Sequence, residues 1–523
     1  MNYVDLFRVT LPETALEIAA LLVLVVDLGF LRKAALKTRV SVAALLGVVG
    51  CGAALWAVLT TAGPGLSYGD ELLLSVGGTA AVAQVGILVL TAMTLLLLIG
   101  SDFTKNVGEY VAVVLMAATG GLLIASAQDL LVIFIGLELL SLGLYILTAF
   151  AKSSEKSAEA AIKYYLFGGM SAAFLLFGFS YFYGLSGSTN LREIQGAIAA
   201  SGPSPLFYIA WIMVVVGLGF KVAAVPFHLW APDTYEGAPA PAAAFIASVS
   251  KVASFALLLT ISSNLLTLVP GQISGLVGLA VALHQIDKTW TQLAVVLLLL
   301  AALSMVIGNL AALAQTSVRR LLAYSAIAHA GYVLLGVATL PRYSTVIADL
   351  HLIVPKLQSA VTSSDAVLYY VLTYGLTTIG AFGVVDVVER ATGSDRMDAF
   401  LGLHKRNPML AAVLLVLFLS LAGIPPLVGF WAKFNLFAAV LSVGGGPVPF
   451  ALVALAVALS AVSLYYYIQV LKRAYVMPAV DEAAIKVHPV TMIVLVGIAA
   501  AVVLLGMFPA VLQGWIAGFY PVA

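Results

Sequence analysis

Apolar runs about twenty residues long recur from one end of this chain to the other, and a run of that length crosses the hydrocarbon core of a bilayer as one helix. Candidate spans lie at roughly 12–31, 40–61, 79–100, 109–126, 128–150, 163–185, 206–230, 240–263, 290–314, 319–339, 367–389, 408–442, 449–471 and 489–512. Of 523 residues, 62% are hydrophobic and 9% charged, where a soluble domain carries about 25% charged residues. The expectation is an all-α polytopic membrane protein of about 14 transmembrane helices. Residues 264–284, Gly-rich with a proline, and 343–361 stay outside that count.

The lysines and arginines give an orientation. Most of the 25, including Arg32, Lys33, Lys105, Lys152, Arg319, Arg320, Lys405 and Lys472, fall in alternate loops. Those loops face inward if both the N-terminus and the C-terminus face outward. The start MNYVDLFRVTLPETALEIAALLVLVVDLGF has no basic region before its apolar run and reads as a retained first span.

Four lysines depart from this polarity. Lys221, Lys251 and Lys433 lie inside apolar stretches, and Lys163 lies at the edge of one. A charge at the bilayer centre costs about 2.5–3.5 kcal/mol, so three cost roughly 8–10 kcal/mol if uncompensated. A lone acid, Glu138, lies mid-span in LVIFIGLELLSLGLYILTAF, and Lys221 is its natural partner. Burial disfavours an ammonium and a nearby carboxylate restores it, so a lysine whose carboxylate approaches or withdraws is a proton switch. An ion pair at about 4 Å is worth around 4 kcal/mol at an effective dielectric of 20. Moving one charge across about 150 mV costs roughly 3.5 kcal/mol. The two energies match. The bland alternatives are a protonated, hydrogen-bonded Glu138, static lysine pairs, and a Lys163 that snorkels to the interface.

Two spans read as discontinuous. In WIMVVVGLGFKVAAVPFHLW, Lys221 precedes Pro226; in LFLSLAGIPPLVGFWAKF, Pro425 and Pro426 precede Lys433. Proline breaks the helix ladder, and freed backbone at membrane depth needs protein or water around it. Paired breaks in two halves point to an inverted repeat. The divisions expected are 1–108, an N-terminal three-helix segment; 109–263 and 290–471, two five-helix units; and 472–523, a C-terminal helix. Lys163 near the inner end, His228 beside the first break and His329 in the tenth span are possible relays, the histidines because they titrate near neutrality. Tyr235, Ser250, Ser325 and Tyr332 are candidates for holding water chains. Asp233 and Glu236 read as solvated at the inner face, and Asp27 as interfacial.

The single cysteine, Cys51, permits no internal disulfide and no CxxC cluster site. Neither GxGxxG after a strand nor GxxxxGK[ST] occurs. A site for metal, nicotinamide or flavin is therefore not expected in this chain, and the net charge of +1 gives no reason to expect nucleic acid.

Several segments carry a resemblance. GEYVAVVLMAATGGLLIASAQDLLVIFIGLELLSLGLYILTAF, EAAIKYYLFGG, GFKVAAVPFHLWAPDTYEGAPAPAAAFIASVSKVASF and LAGIPPLVGFWAKF are similar to the antiporter-like membrane subunits of respiratory complex I. The resemblance runs from about 109 to 475. It implies two inverted five-helix units, a bacterial cell membrane, and proton translocation coupled to quinone reduction elsewhere. NADH, FMN, iron–sulfur clusters and quinone would sit in other subunits, and the partners would be membrane subunits including a neighbouring antiporter-like one. It carries Glu138 over as the acid of the fifth helix, Lys221 as its lysine, Lys251 as the central lysine and Lys433 as the terminal residue of the pathway. A lysine at 433 departs from M-type members, which have glutamate there; no long lateral helix follows, as it does in the L-type. The insertions near 264–289 and 342–366 depart from the family's short loops. Two rival readings are a subunit of a multi-subunit cation/proton antiporter and a purely structural anchor.

Overall fold

The structure is a computed structural model, and it describes residues 7–61, 73–266, 275–339, 363–443, 447–479 and 483–520. Among them the chain is helical, with only isolated β-bridges between loops. The helices are α1 (Leu11–Val25), α2 (Leu36–Thr61), α3 (Gly78–Leu98), α4 (Val107–Ser126), α5 (Leu130–Thr148) and α6 (Glu155–Ser186). There follow α7 (Leu191–Ser201), α8 (Pro205–Val222), α9 (Trp230–Gly237), α10 (Ala240–Leu266), α11 (Gly275–Leu313), α12 (Val318–Val337) and α13 (Ser363–Thr392). The chain ends with α14 (Pro408–Ala422), α15 (Val428–Val443), α16 (Pro447–Tyr475), α17 (Pro489–Met507) and α18 (Pro509–Ala517).

Twelve of the described helices are long and apolar enough to cross a membrane. The shorter α14 and α15 together take the place of the expected broken span, and α1 with its π-helical extension Val26–Phe30 takes that of the first. Hydrophobicity alone carries this agreement, because each bilayer-length run must satisfy its own backbone as a helix. Two differences are local. The span expected at 290–314 is the end of α11, which starts at Gly275, after the Pro270–Gly271 interruption. The short α7 caps a loop on an amphipathic pattern that buries Leu191, Ile194 and Ile198. Most of the 342–366 insertion lies outside the described residues.

Helix starts follow side-chain capping, which satisfies otherwise unpaired N–H groups. Asp129 accepts from Leu131 N and Val132 N at α5, Ser317 from Arg320 N at α12, and Asn407 from Leu410 N at α14. Helix α10 is buried along its membrane-spanning length and packs against α3, α4 and α13. Helices α6 and α16 leave broad apolar faces outward.

One end of the bundle is laced by ions. Arg320 meets Asp233 at 2.7 Å and Glu236 at 2.9 Å, Lys156 meets Glu236 at 3.1 Å, and Arg319 meets Glu389 at 3.3 Å. Asp233 and Glu236 are thus ion-paired rather than simply solvated. Asp27, expected at the interface, is buried within the protein: Arg39 grips both its oxygens at 2.7 and 2.6 Å, and Gly108 N adds a bond of 3.0 Å. A buried carboxylate needs such a partner, and this one fastens the α1–α2 hairpin to the start of α4.

Both expected breaks are present. Helix α8 ends in a Schellman motif: Ala223 N donates to Phe220 O at 2.9 Å and Ala224 N to Gly219 O at 2.8 Å. Helix α14 ends the same way, with Gly423 N to Ser420 O at 2.9 Å and Ile424 N to Leu419 O at 3.0 Å. The residue after each helix is left-handed, at φ 58° for Ala223 and 87° for Gly423. Alanine there carries a left-handed penalty of about 1–2 kcal/mol that glycine lacks, against a smaller entropic loss on replacing it. Ala223→Gly is therefore expected to shift the thermal midpoint of the purified protein little or upward. Ala223→Val, β-branched at a positive φ, is expected to lower it clearly; equal midpoints for the two would refute this account of the break.

Candidate functional site

The two breaks set the register of the site. Aligned on the left-handed residue, Val222 of the first break corresponds to Ala422 of the second, and Lys221 to Leu421. At each break the last carbonyls of the first half-helix have lost their helical partners, and lysines bond to them. Lys251, 2% exposed in the middle of α10, donates to Val222 O and lies 5.9 Å from the centre of the Trp230 ring. Lys433, 6% exposed in α15, donates to Ala422 O at 2.9 Å, Leu421 O at 3.1 Å and Ser460 Oγ at 2.7 Å. The Tyr332 ring lies 5.6 Å from its ammonium. Ser460 Oγ also reaches Ala422 O, at 3.4 Å. The corresponding carbonyl thus meets Lys251 from α10 at one break, and Lys433 from α15 together with Ser460 from α16 at the other.

Lys221 is 6% exposed in the last turn of α8 and donates to Ser141 Oγ of α5, while Ser141 donates to Leu137 O. Glu138 is half-buried, and among the described residues no ion pair joins it to Lys221. Glu138, Ser141 and Tyr145 share one side of α5 by their i, i+3, i+7 spacing, and the Tyr145 ring lies 5.9 Å from the Lys221 ammonium. Lys221 is therefore held by a hydroxyl that lies one turn along α5 from Glu138.

The other candidates part company. Lys163 lies in the ionic end of the bundle, paired with Glu159 at 2.6 Å and Asp233 at 2.7 Å, its side chain 40% exposed. His228 is half-buried in the first break, beside exposed Leu229. His329 is buried, its Nδ1 2.7 Å from Tyr370 OH and its ring 4.8 Å from that of Tyr374. A water-sized cavity of about 10 Å³ lies between His329, Ser420 and Leu421, on the way to Lys433. Ser325 bonds Tyr467, and Tyr332 accepts from Asn309 Nδ2 at 3.2 Å.

This arrangement can hold three ammonium groups on neutral oxygen acceptors, each near a broken helix. The family described as NADH:quinone oxidoreductase/Mrp antiporter, transmembrane, matches residues 127–289 and again 262–462. NADH-quinone oxidoreductase subunit N 2 of Acidobacterium capsulatum is 46% identical, with 99% of each chain covered. The chain belongs to the subunit N family. Subunit N 1 of Roseiflexus castenholzii is 39% identical over 82% of this chain and 77% of its own. A chain of respiratory complex I from Thermus thermophilus with bound aureothin is 32% identical, with a TM-score of 0.73, 96% of this chain and 98% of that one covered. A chain of the Mrp complex from Dietzia sp. DQ12-45-1b shares the fold at a TM-score of 0.77 and 20% identity, over 97% of this chain and 51% of that one.

Within this subunit N chain, sequence reasoning missed Ser141, Ser460 and Asn309. The one available signal was position: Ser141 follows Glu138 by three residues on an otherwise apolar helix. Ser141→Ala removes the acceptor of a buried ammonium, an uncompensated loss of about 1–3 kcal/mol. Proton movement is expected to slow severalfold or more while the complex still assembles, and Glu138→Gln on top is expected to add more than its separate effect. Strict additivity in that double-mutant cycle would mean that Ser141 and Glu138 do not act on the same lysine.

Proposed function

We propose that this subunit N chain moves protons along Glu138, Lys221, Lys251 and Lys433, in a bacterial cell membrane and as part of NADH:quinone oxidoreductase. The observation that carries the reading is the set of three buried lysines. Each is bonded only to neutral oxygens among the described residues, so no carboxylate locks its charge in place.

Lys221 takes a proton from the side of the basic loops when its pairing with Glu138 is favourable. Withdrawal of that pairing, on the scale of one proton's transfer energy, releases the proton toward Lys251. Lys433 receives it and releases it outward or passes a charge signal to the next subunit. His329 is the best placed of the possible relays. Lys163 belongs with Asp233 at the mouth, and His228 at the side of the first break. The basic loops support an orientation with both termini outward. The alike breaks and the double family match support two units, 109–263 and 290–471, between the segments 1–108 and 472–523.

Redox chemistry belongs to the rest of the complex: NADH, FMN, iron–sulfur clusters and quinone are assigned to other subunits. Partner subunits cover the outward apolar faces. On α5 such a face runs through Leu131, Ile135, Leu142 and Ile146, beside half-buried Glu138. A neighbouring antiporter-like subunit is one of the partners.

The test is made in sealed vesicles holding the whole complex. Lys221→Ala and Lys251→Ala are expected to keep inhibitor-sensitive quinone reduction and to lose NADH-driven acidification in proportion to this subunit's share. Normal acidification with normal assembly would leave the chain a structural anchor. Sodium-dependent proton movement with no NADH link would instead make it a cation/proton antiporter subunit.

A further inference from the structure

A cavity of about 390 Å³ opens at the ionic end, between the α3–α4 loop, the α9–α10 turn and the ends of α12 and α13. It has room for on the order of ten waters. Asp386 of α13 sits at its wall, its side chain 15% exposed and 2.6 Å from Arg390, with Glu389 and Arg319 beside it. Two residues that line the cavity each carry a buried side-chain atom with no hydrogen-bond partner among the described residues. The atoms are Ser101 Oγ and Arg319 Nε, on residues 9% and 5% exposed. Buried polar atoms are ordinarily satisfied, so these are two groups that water entering from the cavity would satisfy.

From Asp386 a line of side chains leads inward. Phe382, Thr378, Tyr374 and Tyr370 follow at intervals of four along α13, each a neighbour of the next on the helix surface, so that the line winds partly round α13 over about 24 Å of its length. At the far end Tyr370 OH meets His329, and the water-sized cavity joins His329 to Ser420 and Leu421, whose carbonyl accepts from Lys433. One apolar group interrupts the line. The Phe382 ring packs edge-on against Tyr235, with centroids 5.7 Å apart and planes at 71°. Both residues are fully buried, and Tyr235 OH has no partner among the described residues.

We propose that this cavity is a second proton-loading vestibule, feeding Lys433 through Asp386, the α13 line and His329, with the Tyr235–Phe382 ring pair as its closed gate. The carboxylate of Asp386 takes a proton from vestibule water. When the rings part and admit water, each hydroxyl accepts one proton and donates its own. His329 takes a proton on one ring nitrogen and yields one to the neutral amine of Lys433. No bond other than O–H and N–H forms or breaks.

The proposal rests on Lys433 acting in translocation, and the tests keep the two apart. In vesicles holding the whole complex, Asp386→Asn is expected to slow this loading by roughly 10²-fold or more, so that acidification per NADH falls by the share of protons that enters here, and no lower than the level of Lys433→Ala. Phe382→Ala is expected to open a passive proton leak without NADH, and His329→Ala on top to close it. Parental acidification in Asp386→Asn, with Lys433→Ala impaired, overturns the vestibule alone. So does a Phe382→Ala complex with no leak, or with a leak that His329→Ala leaves untouched. Parental acidification in Lys433→Ala overturns both readings. If Asp386→Asn fails to assemble, the leak and its suppression decide.

Discussion

Lys433→Ala is expected to abolish translocation through this subunit while the complex continues to assemble and to reduce quinone. The Lys433 ammonium is held by two backbone carbonyls and one hydroxyl, and no carboxylate within ion-pair distance is found among the described residues. Removing it therefore strands no buried partner charge, which is the costly way to break such a site. Ser460 stays within reach of Ala422 O at 3.4 Å, so only Leu421 O loses its partner, at about 1–3 kcal/mol. Assembly survives that loss. A positioned proton donor or acceptor contributes typically 10²–10⁴-fold to a transfer step, and a loss of that order is a loss of pumping. Lys433→Arg sharpens the test. Arginine keeps the charge and the hydrogen bonds but does not release its proton in a protein. If Lys433 carries a proton, both variants fail; if it supplies only a fixed charge, arginine pumps and alanine does not. Acidification at the parental rate in both, with intact assembly, would remove Lys433 from the pathway.

Gly429→Ala is expected to cost stability near the top of the range for overpacking, about 3 kcal/mol, and to deplete the assembled complex. Gly429 opens α15 against the end of α14. A Cβ there would lie 1.9 Å from Ser420 O and 2.7 Å from Ser420 C. These are backbone atoms, and Ser420 Oγ already accepts from Gly429 N at 3.1 Å. The two half-helices would have to separate, carrying Lys433 away from its carbonyls. Gly497→Ala in α17 is the control, because nothing lies within 4 Å of the added Cβ. The check is the thermal midpoint and the yield of complex for each variant. A Gly429→Ala complex as stable as Gly497→Ala would mean that the second break tolerates slack.

Much of the architecture was legible before any contact was known. Span positions follow from bilayer-length apolar runs, since a backbone in lipid must bond to itself. The breaks follow from Pro226 and from Pro425 with Pro426, since proline cannot donate. Lys221, Lys251 and Lys433 stood out because a charge in such a run is expensive. These are local quantities, summed along a window of sequence, and the apolar pattern carries them unaided.

Partnership is not local. Lys251 bonds a carbonyl 29 residues away, Lys221 a hydroxyl 80 residues away, and Lys433 a hydroxyl 27 residues away. Lys163 and Lys221 look alike as lysines in apolar surroundings, yet packing sends the first to Asp233 at the ionic end and seals the second against Ser141. Asp27 read as interfacial because its run ends there, and became buried because Arg39 and Gly108 close over it. Hydropathy can price a charge in a membrane, but which oxygen meets it depends on how helices distant in sequence are brought within 3 Å, and that is set by packing across the whole bundle.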